Sequence, residues 1–162
     1  MLKRLQIGGP EVLVISSLAK AFGAPVAQLS GSRGAVDEFK QKSETRVHCS
    51  PPSVAVIRAA EHALHVNRIH GDRLRLRLAH LVTRFRQGAA EAGFRFTGGL
   101  FPIQTLAPNA ETEPRRVHLQ LLRRGVRTVL RSTPHGHRIT FVITARHTPG
   151  AIDDAIDALS NL

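Results

Sequence analysis

The apolar positions of the chain change rhythm from one end to the other. Glu11-Val-Leu-Val-Ile-Ser16 is a short continuous apolar run between a Gly-Pro pair and polar residues, the pattern of a strand buried in a mainly parallel sheet. Pro25-Val-Ala-Gln-Leu-Ser30 reads as a second strand, and the turn between them, Ser17-Leu-Ala-Lys-Ala-Phe-Gly23, carries a single lysine. After the breaker Gly31-Ser-Arg-Gly34 a short helix is predicted over 35–42. Val47-His-Cys-Ser-Pro-Pro52 reads as extended, because a residue that precedes proline disfavours helix. A long helix is predicted from about Ser53 to Asn67, with Val54, Ile57 and Leu64 at helical spacing, and a second from about Gly71 to Ala92. In that second helix Leu74, Leu78, Leu81 and Phe85 form an apolar stripe, with Arg73, Arg77, His80 and Arg84 on another face.

Beyond residue 100 strands and helices alternate. Pro102-Ile-Gln-Thr-Leu-Ala107 is strand-like, and 113–124 is helical with Val117, Leu121 and Leu122 inward and Gly125 as its stop. Val126-Arg-Thr-Val-Leu130 and Arg138-Ile-Thr-Phe-Val-Ile-Thr144 are rich in β-branched residues and are separated by the turn Pro134-His-Gly-His137. Thr148-Pro149 supplies an N-cap and first-turn proline for a last helix with Ile152, Ala155, Ile156 and Leu159 on one face. The expected fold class is α/β. Residues 1–52 form the end of a parallel sheet, and residues 53–162 form an α+β small domain, a small sheet covered by helices and preceded by a long interdomain helix.

Composition narrows the function classes. At 162 residues with 42% hydrophobic and 22% charged residues, the chain is that of a globular protein with a real core, not a disordered one. The single cysteine, Cys49, excludes an intramolecular disulfide, and no apolar run reaches the ~18 residues of a membrane helix. Met1-Leu2-Lys3-Arg4 starts like a signal peptide, but Gly8-Gly9-Pro10-Glu11 interrupts it, so a cytoplasmic protein is expected. The net charge of +11 brings nucleic acid to mind. The seven Phe, however, do not interleave with Lys or Arg as base-stacking platforms require, and Tyr and Trp are absent. The Arg faces, including Arg115-Arg116 and Arg123-Arg124, therefore read as solvated helix surface. His62, His65, His70 and the pair His135 and His137 lack the spacing of a structural zinc site, so no metal is expected. Cys49 has no sequence neighbour that would make it a nucleophile, and reads as a small buried thiol.

Candidate chemistry centres on Lys20. A lysine in a Gly-bounded turn between apolar strands is out of place as an ordinary surface residue. When partly desolvated, such an amine attacks carbonyls. Ser17, three residues earlier, places a hydroxyl near it, while the plain alternative is a loop lysine beside a strand. Ser16-Ser17-Leu18-Ala19-Lys20-Ala21-Phe22-Gly23 resembles the T/S-x-x-K-A-[FL]-G segment of the α-oxoamine synthase family, fold-type-I pyridoxal phosphate enzymes of the aminotransferase class I/II type. His48-Cys49-Ser50-Pro51-Pro52 resembles that family's Ser-rich, Pro-containing segment before its interdomain helix, and Arg138-Ile-Thr-Phe-Val-Ile-Thr-Ala-Arg-His-Thr148 its R-x-R-x-x-x-S-A-A-H-T strand.

The resemblance implies a transferase that condenses an acyl-CoA with an amino acid, or transfers an amino group, using pyridoxal 5'-phosphate. It makes Lys20 the Schiff-base lysine, Ser17 a phosphate ligand, Ser50 a phosphate ligand across a homodimer interface, and Arg138 the clamp on the amino-acid carboxylate. Thr140 stands where the second arginine of R-x-R is expected and Arg146 where an alanine is, which implies a different substrate choice. The family's carboxylate for the pyridine nitrogen lies well upstream of the lysine, whereas the 19 residues before Lys20 contain one acid, Glu11. A C-terminal fragment is therefore expected, inactive unless another chain supplies the missing N-terminal half. The alternative is a non-catalytic basic module that binds nucleic acid or a protein partner.

Overall fold

The computed structural model describes residues 9–47, 49–108 and 113–162. The chain forms two compact units, Met1–His70 and Gly71–Leu162.

In the first unit β1 (Val14–Ser17) and β2 (Ala27–Ser30) pair antiparallel, with Val14 opposite Ser30 and Ser17 opposite Ala27. This corrects the expectation that both belong to a mainly parallel arrangement. The reason is chain length: the connection 18–26 is too short for a parallel crossover, which takes a dozen residues or more, but ample for antiparallel neighbours. The strands are not buried either, and Ile15 is 73% exposed. Helix α1 (Arg33–Lys42) starts at Ser32, whose Oγ accepts the Ala35 N–H, and a single turn, α2 (Glu44–Val47), replaces the start of the expected extended segment.

Helix α3 (Val54–Glu91) is continuous over 38 residues, where two helices were expected. No proline occurs in it, and each of its interior glycines, Gly71 and Gly88, costs only about 1 kcal/mol relative to alanine. Asn67 to Gly71 therefore carries no signal strong enough to stop it. Within the first unit α3 leaves Val54, Ile57, Leu64 and Ile69 exposed.

The second unit is an antiparallel sheet in the order β3-β4-β6-β5, covered by helices. Its strands are β3 (Phe96–Thr97), β4 (Ile103–Leu106), β5 (Val129–Thr133) and β6 (Gly136–Val142), and its further helices are α4 (Pro114–Arg123) and α5 (Pro149–Ser160). This is the helix-covered small sheet that the pattern predicts, with the two-residue β3 added. Strand alternation splits β6: Ile139 and Phe141 enter the core, joined by Ile143 just beyond it. The α3 residues Leu81, Val82 and Phe85, the α4 residues Val117 and Leu121, and the α5 residues Ile152, Ala155, Ala158 and Leu159 meet them there. Phe85, Phe96 and Phe141 form a mutually packed triad with ring centroids 4.9–5.5 Å apart, the spacing at which edge-to-face contacts are favourable. Leu122 departs from its expected inward position and is 45% exposed, because only the Val117–Leu121 stripe of α4 faces the sheet.

Strand β5 begins three residues later than the β-branched run suggests, since residues 124–126 close α4. Gly125, at φ +80°, lets its own N–H reach Leu122 O at 3.0 Å and the Val126 N–H reach Leu121 O at 2.9 Å. At the other end Thr133 pairs with Gly136 across a two-residue turn, which extends β5 and starts β6 early.

Candidate cofactor and substrate site

The lysine turn is held from within. The Leu18 N–H donates to Val26 O at 2.9 Å and the Ala24 N–H to Leu18 O at 3.1 Å, so the segment between is a closed loop on the end of the β1–β2 ribbon. Leu18 and Ala24 are buried with Ala60 of α3, and Phe22 and Val26 pack against them. Gly23 turns the chain at φ +64°, a conformation that costs glycine nothing. Lys20 is thereby lifted to the exposed apex, where it has no hydrogen bond or ion pair among the described residues. Its exposure corrects the expectation of partial desolvation within this chain. Ser17, the last residue of β1, is exposed on the same turn. Leu18 and Ala24, the anchors of this loop, carry no sequence signal of their own; the resemblance of the segment rests on the residues between and beside them.

The other predicted residues belong to other segments of the chain. Ser50 is exposed in the irregular segment before α3, beside the exposed thiol of Cys49, which is therefore not buried as expected. His48 and the Met1–Arg4 segment lie outside the described residues. Arg138 belongs to the second unit, on β6, directly opposite Arg131 of β5 and half-buried; its Nη1 donates to His137 O at 3.1 Å. On the same face of β6, Thr140 is buried, and its hydroxyl lies 3.0 Å from that of Thr105 on β4. The position expected to hold a second arginine is thus a small hydroxyl tied into the sheet. Structure brings Ser17 and Lys20 onto one turn and sets Arg138 beside Thr140.

The arginines are less uniformly solvated than the charge pattern suggests. Arg84 is bidentate to Asp153, with Nε–Oδ1 2.6 Å and Nη2–Oδ2 2.8 Å, and this guanidinium holds the Asp153 carboxyl below its ordinary range. Arg77 donates to His147 O at 3.1 Å, and Arg124 to Ala158 O at 2.9 Å. Among the described residues no three His, Cys, Asp or Glu side chains lie together as metal ligands, and no helix is long and apolar enough to cross a membrane.

A second buried polar feature escaped the sequence reading. Gln104, fully buried on β4, accepts from Arg86 Nη1 at 2.9 Å and donates to the carbonyls of Gly99, at 3.0 Å, and of Phe101. It fixes the loop between β3 and β4.

The curated 8-amino-7-oxononanoate synthase of Thioalkalivibrio sulfidiphilus is 30% identical over 91% of this chain and 38% of its own length. That of Methylococcus capsulatus is 31% identical over 99% of this chain and 42% of its own length. The chain thus spans about two-fifths of these relatives. Among solved structures, 8-amino-7-oxononanoate synthase from Francisella tularensis matches 93% of the chain with a TM-score of 0.72 at 19% identity, and covers 45% of that protein. Sphingomonas wittichii serine palmitoyltransferase matches 92% with a TM-score of 0.77 at 15% identity, again over 39% of its length. These likenesses show the fold to be a portion of the fold-type-I architecture. The sequence signature of Aminotransferase class I and II matches residues 5–159, nearly the whole chain, and the protein belongs to that family.

Proposed function

We propose that this chain is the C-terminal portion of a pyridoxal phosphate-dependent α-oxoamine synthase, in which Lys20 carries the cofactor. Residues 1–52 contribute the end of the large cofactor domain and residues 53–162 the small domain. The observation that carries this reading is the loop of residues 18–26: it presents an exposed lysine, without a carboxylate partner among the described residues, on the same turn as Ser17, inside a family match that spans nearly the whole chain. An unpaired amine and a neighbouring hydroxyl suit an aldehyde and a phosphate, so the residues present fit the cofactor.

Pyridoxal phosphate, when bound, supplies an electron sink for the Cα of an amino acid. In this reading Lys20 Nζ would hold the cofactor through its aldehyde carbon and would carry the proton at the amino acid's Cα. The Ser17 hydroxyl donates to the phosphate, and Ser50 donates to the phosphate of the neighbouring subunit in a homodimer. Arg138 pairs with the amino-acid carboxylate through its planar guanidinium. The second substrate is an acyl-CoA. A carboxylate to keep the pyridine nitrogen protonated is the missing partner. Of the five acids of the first unit, Asp37, Glu38 and Glu61 are each paired with a nearby Lys or Arg of their own helix, and Glu11 and Glu44 are exposed to solvent. The chain by itself therefore holds cofactor weakly and does not turn over until a polypeptide with the remaining half of the site is added.

The chain has four lysines, which makes the test direct. Incubation with pyridoxal phosphate, borohydride reduction and peptide mapping should label Lys20 ahead of Lys40 and Lys42, whose amines are engaged by Asp37 and Glu38. Lys20→Ala should lose that label. Equal labelling of all lysines, or full synthase activity from the chain alone, would sink the reading. The alternative basic module predicts steeply salt-dependent nucleic-acid binding that ignores Lys20→Ala. Engagement of Arg77, Arg84, Arg86 and Arg124 within the fold speaks against it.

A further inference from the structure

One cavity of the second unit has no part in that reading. It measures about 390 Å³, within the range of small-ligand pockets, and opens between the α4–β5 connection, the end of β6 and the first turns of α5. Its floor is apolar: Phe85, Phe141, Ile143 and Ile152, all belonging to the core. Its rim carries Arg124, Arg127 and His147, with Asp154 the one acid among the lining residues.

These rim groups are not equivalent. Arg124 is held by Ala158 O. Arg127 is exposed and its guanidinium has no hydrogen bond or ion pair among the described residues, although it borders an apolar floor. His147 accepts the Thr144 N–H on Nδ1 at 3.1 Å, which leaves Nε2 as the donor of the neutral ring. The start of α5, where Ala151 lines the cavity, adds the partial positive charge of a helix N-terminus.

We propose that this cavity binds a monocarboxylate with a medium-length alkyl chain. The narrow apolar floor receives part of the chain, and the Arg127 guanidinium at its border, without a partner among the described residues, matches a carboxylate with two parallel hydrogen bonds. Asp154 opposes a second negative charge, which selects a monoanion over a phosphate. The site is formed by other segments of the sequence than the lysine turn and needs no cofactor.

Octanoate is the probe, titrated into the full chain without pyridoxal phosphate and followed by calorimetry and by backbone amide shifts. Saturable binding at one site is expected, with shifts clustered at Arg127, His147 and Ile152. Arg127→Ala should weaken it about tenfold, the worth of one charge-assisted hydrogen bond. Ala151→Trp should block it. Arg127 and Ala151 are exposed, so both variants should keep the circular dichroism and Tm of the parent. Octan-1-ol should bind at least about tenfold more weakly than octanoate, since it lacks the charge. The proposal is overturned if Arg127→Ala binds octanoate as tightly as the parent, if octan-1-ol binds equally well, or if the shifts map elsewhere. Lys20→Ala should bind octanoate like the parent, which separates this outcome from the fate of the cofactor reading.

Discussion

Replacing Gln104 by leucine isolates the polar network that shapes the loop between β3 and β4. The side chain is fully buried and makes three hydrogen bonds, one from Arg86 and two to the carbonyls of Gly99 and Phe101. Leucine has a similar volume, so little cavity forms and the loss is polar. The bond from a charged guanidinium is worth about 1.5–3 kcal/mol, and each neutral bond about 0.5–1.5 kcal/mol. Gly99 and Phe101 are exposed, so water can replace part of the latter, and Arg86 keeps a second acceptor, Phe96 O, at 3.2 Å. The net destabilisation should be about 3 kcal/mol, a large share of the ~5–15 kcal/mol that holds a typical domain. Urea unfolding should be followed by far-ultraviolet circular dichroism, because the chain has no Trp or Tyr to report by fluorescence. A double-mutant cycle with Arg86→Met should return a coupling of about 1.5 kcal/mol, since the two residues share one bond. A loss below about 0.5 kcal/mol, or a coupling indistinguishable from zero, would show that the network does not hold the loop.

Other perturbations read other parts of the fold. Gly98→Ala should destabilise by about 2–4 kcal/mol in the same urea experiment: φ there is +131°, and an added Cβ would overlap the carbonyl oxygen of Ile103, a backbone atom that cannot swing aside. Leu121→Ala, at a fully buried position between α4 and the sheet, should cost about 2–5 kcal/mol, and a Tm scan would show it. The Arg84 guanidinium depresses the Asp153 carboxyl in the folded state, chiefly by hydrogen bonding. The stability from this pair is therefore present above the unfolded carboxyl pKa and lost as pH falls through the folded one, below about pH 4. Asp153→Asn should flatten stability against pH in that acid range and leave its shape near neutrality unchanged; an identical acid limb in the variant would contradict the assignment.

Local pattern carried most of the second unit. Thr148-Pro149 opens α5 as expected, with the Thr148 Oγ1 accepting the Ala151 N–H, and the β-branched run after Arg138 forms the central strand. Boundaries moved where backbone closure competed with side-chain pattern, as at Gly125, whose helix-ending hydrogen bonds use residues that look like strand. In the first unit the apolar runs are strands, but periodicity is blind to partner direction and to burial, and the pair is antiparallel and exposed. The lysine turn was visible as a spacing of Ser17, Lys20 and Gly23. That Lys20 stands exposed at its apex depends on Leu18 and Ala24 packing on Ala60, some forty residues along the chain.

The sequence by itself determined the family, the order of elements and the identity of the one lysine that stands out chemically, because these depend on local spacing and residue type. Tertiary structure alone decided that β1 and β2 run antiparallel, that Gln104 and Thr140 are buried among partners, and that a core-floored cavity is bordered by Arg127. Each is a contact between residues distant in sequence, and such contacts leave no periodicity to read: Gln104 looks like any polar residue in a strand until Arg86, 18 positions earlier, is folded against it.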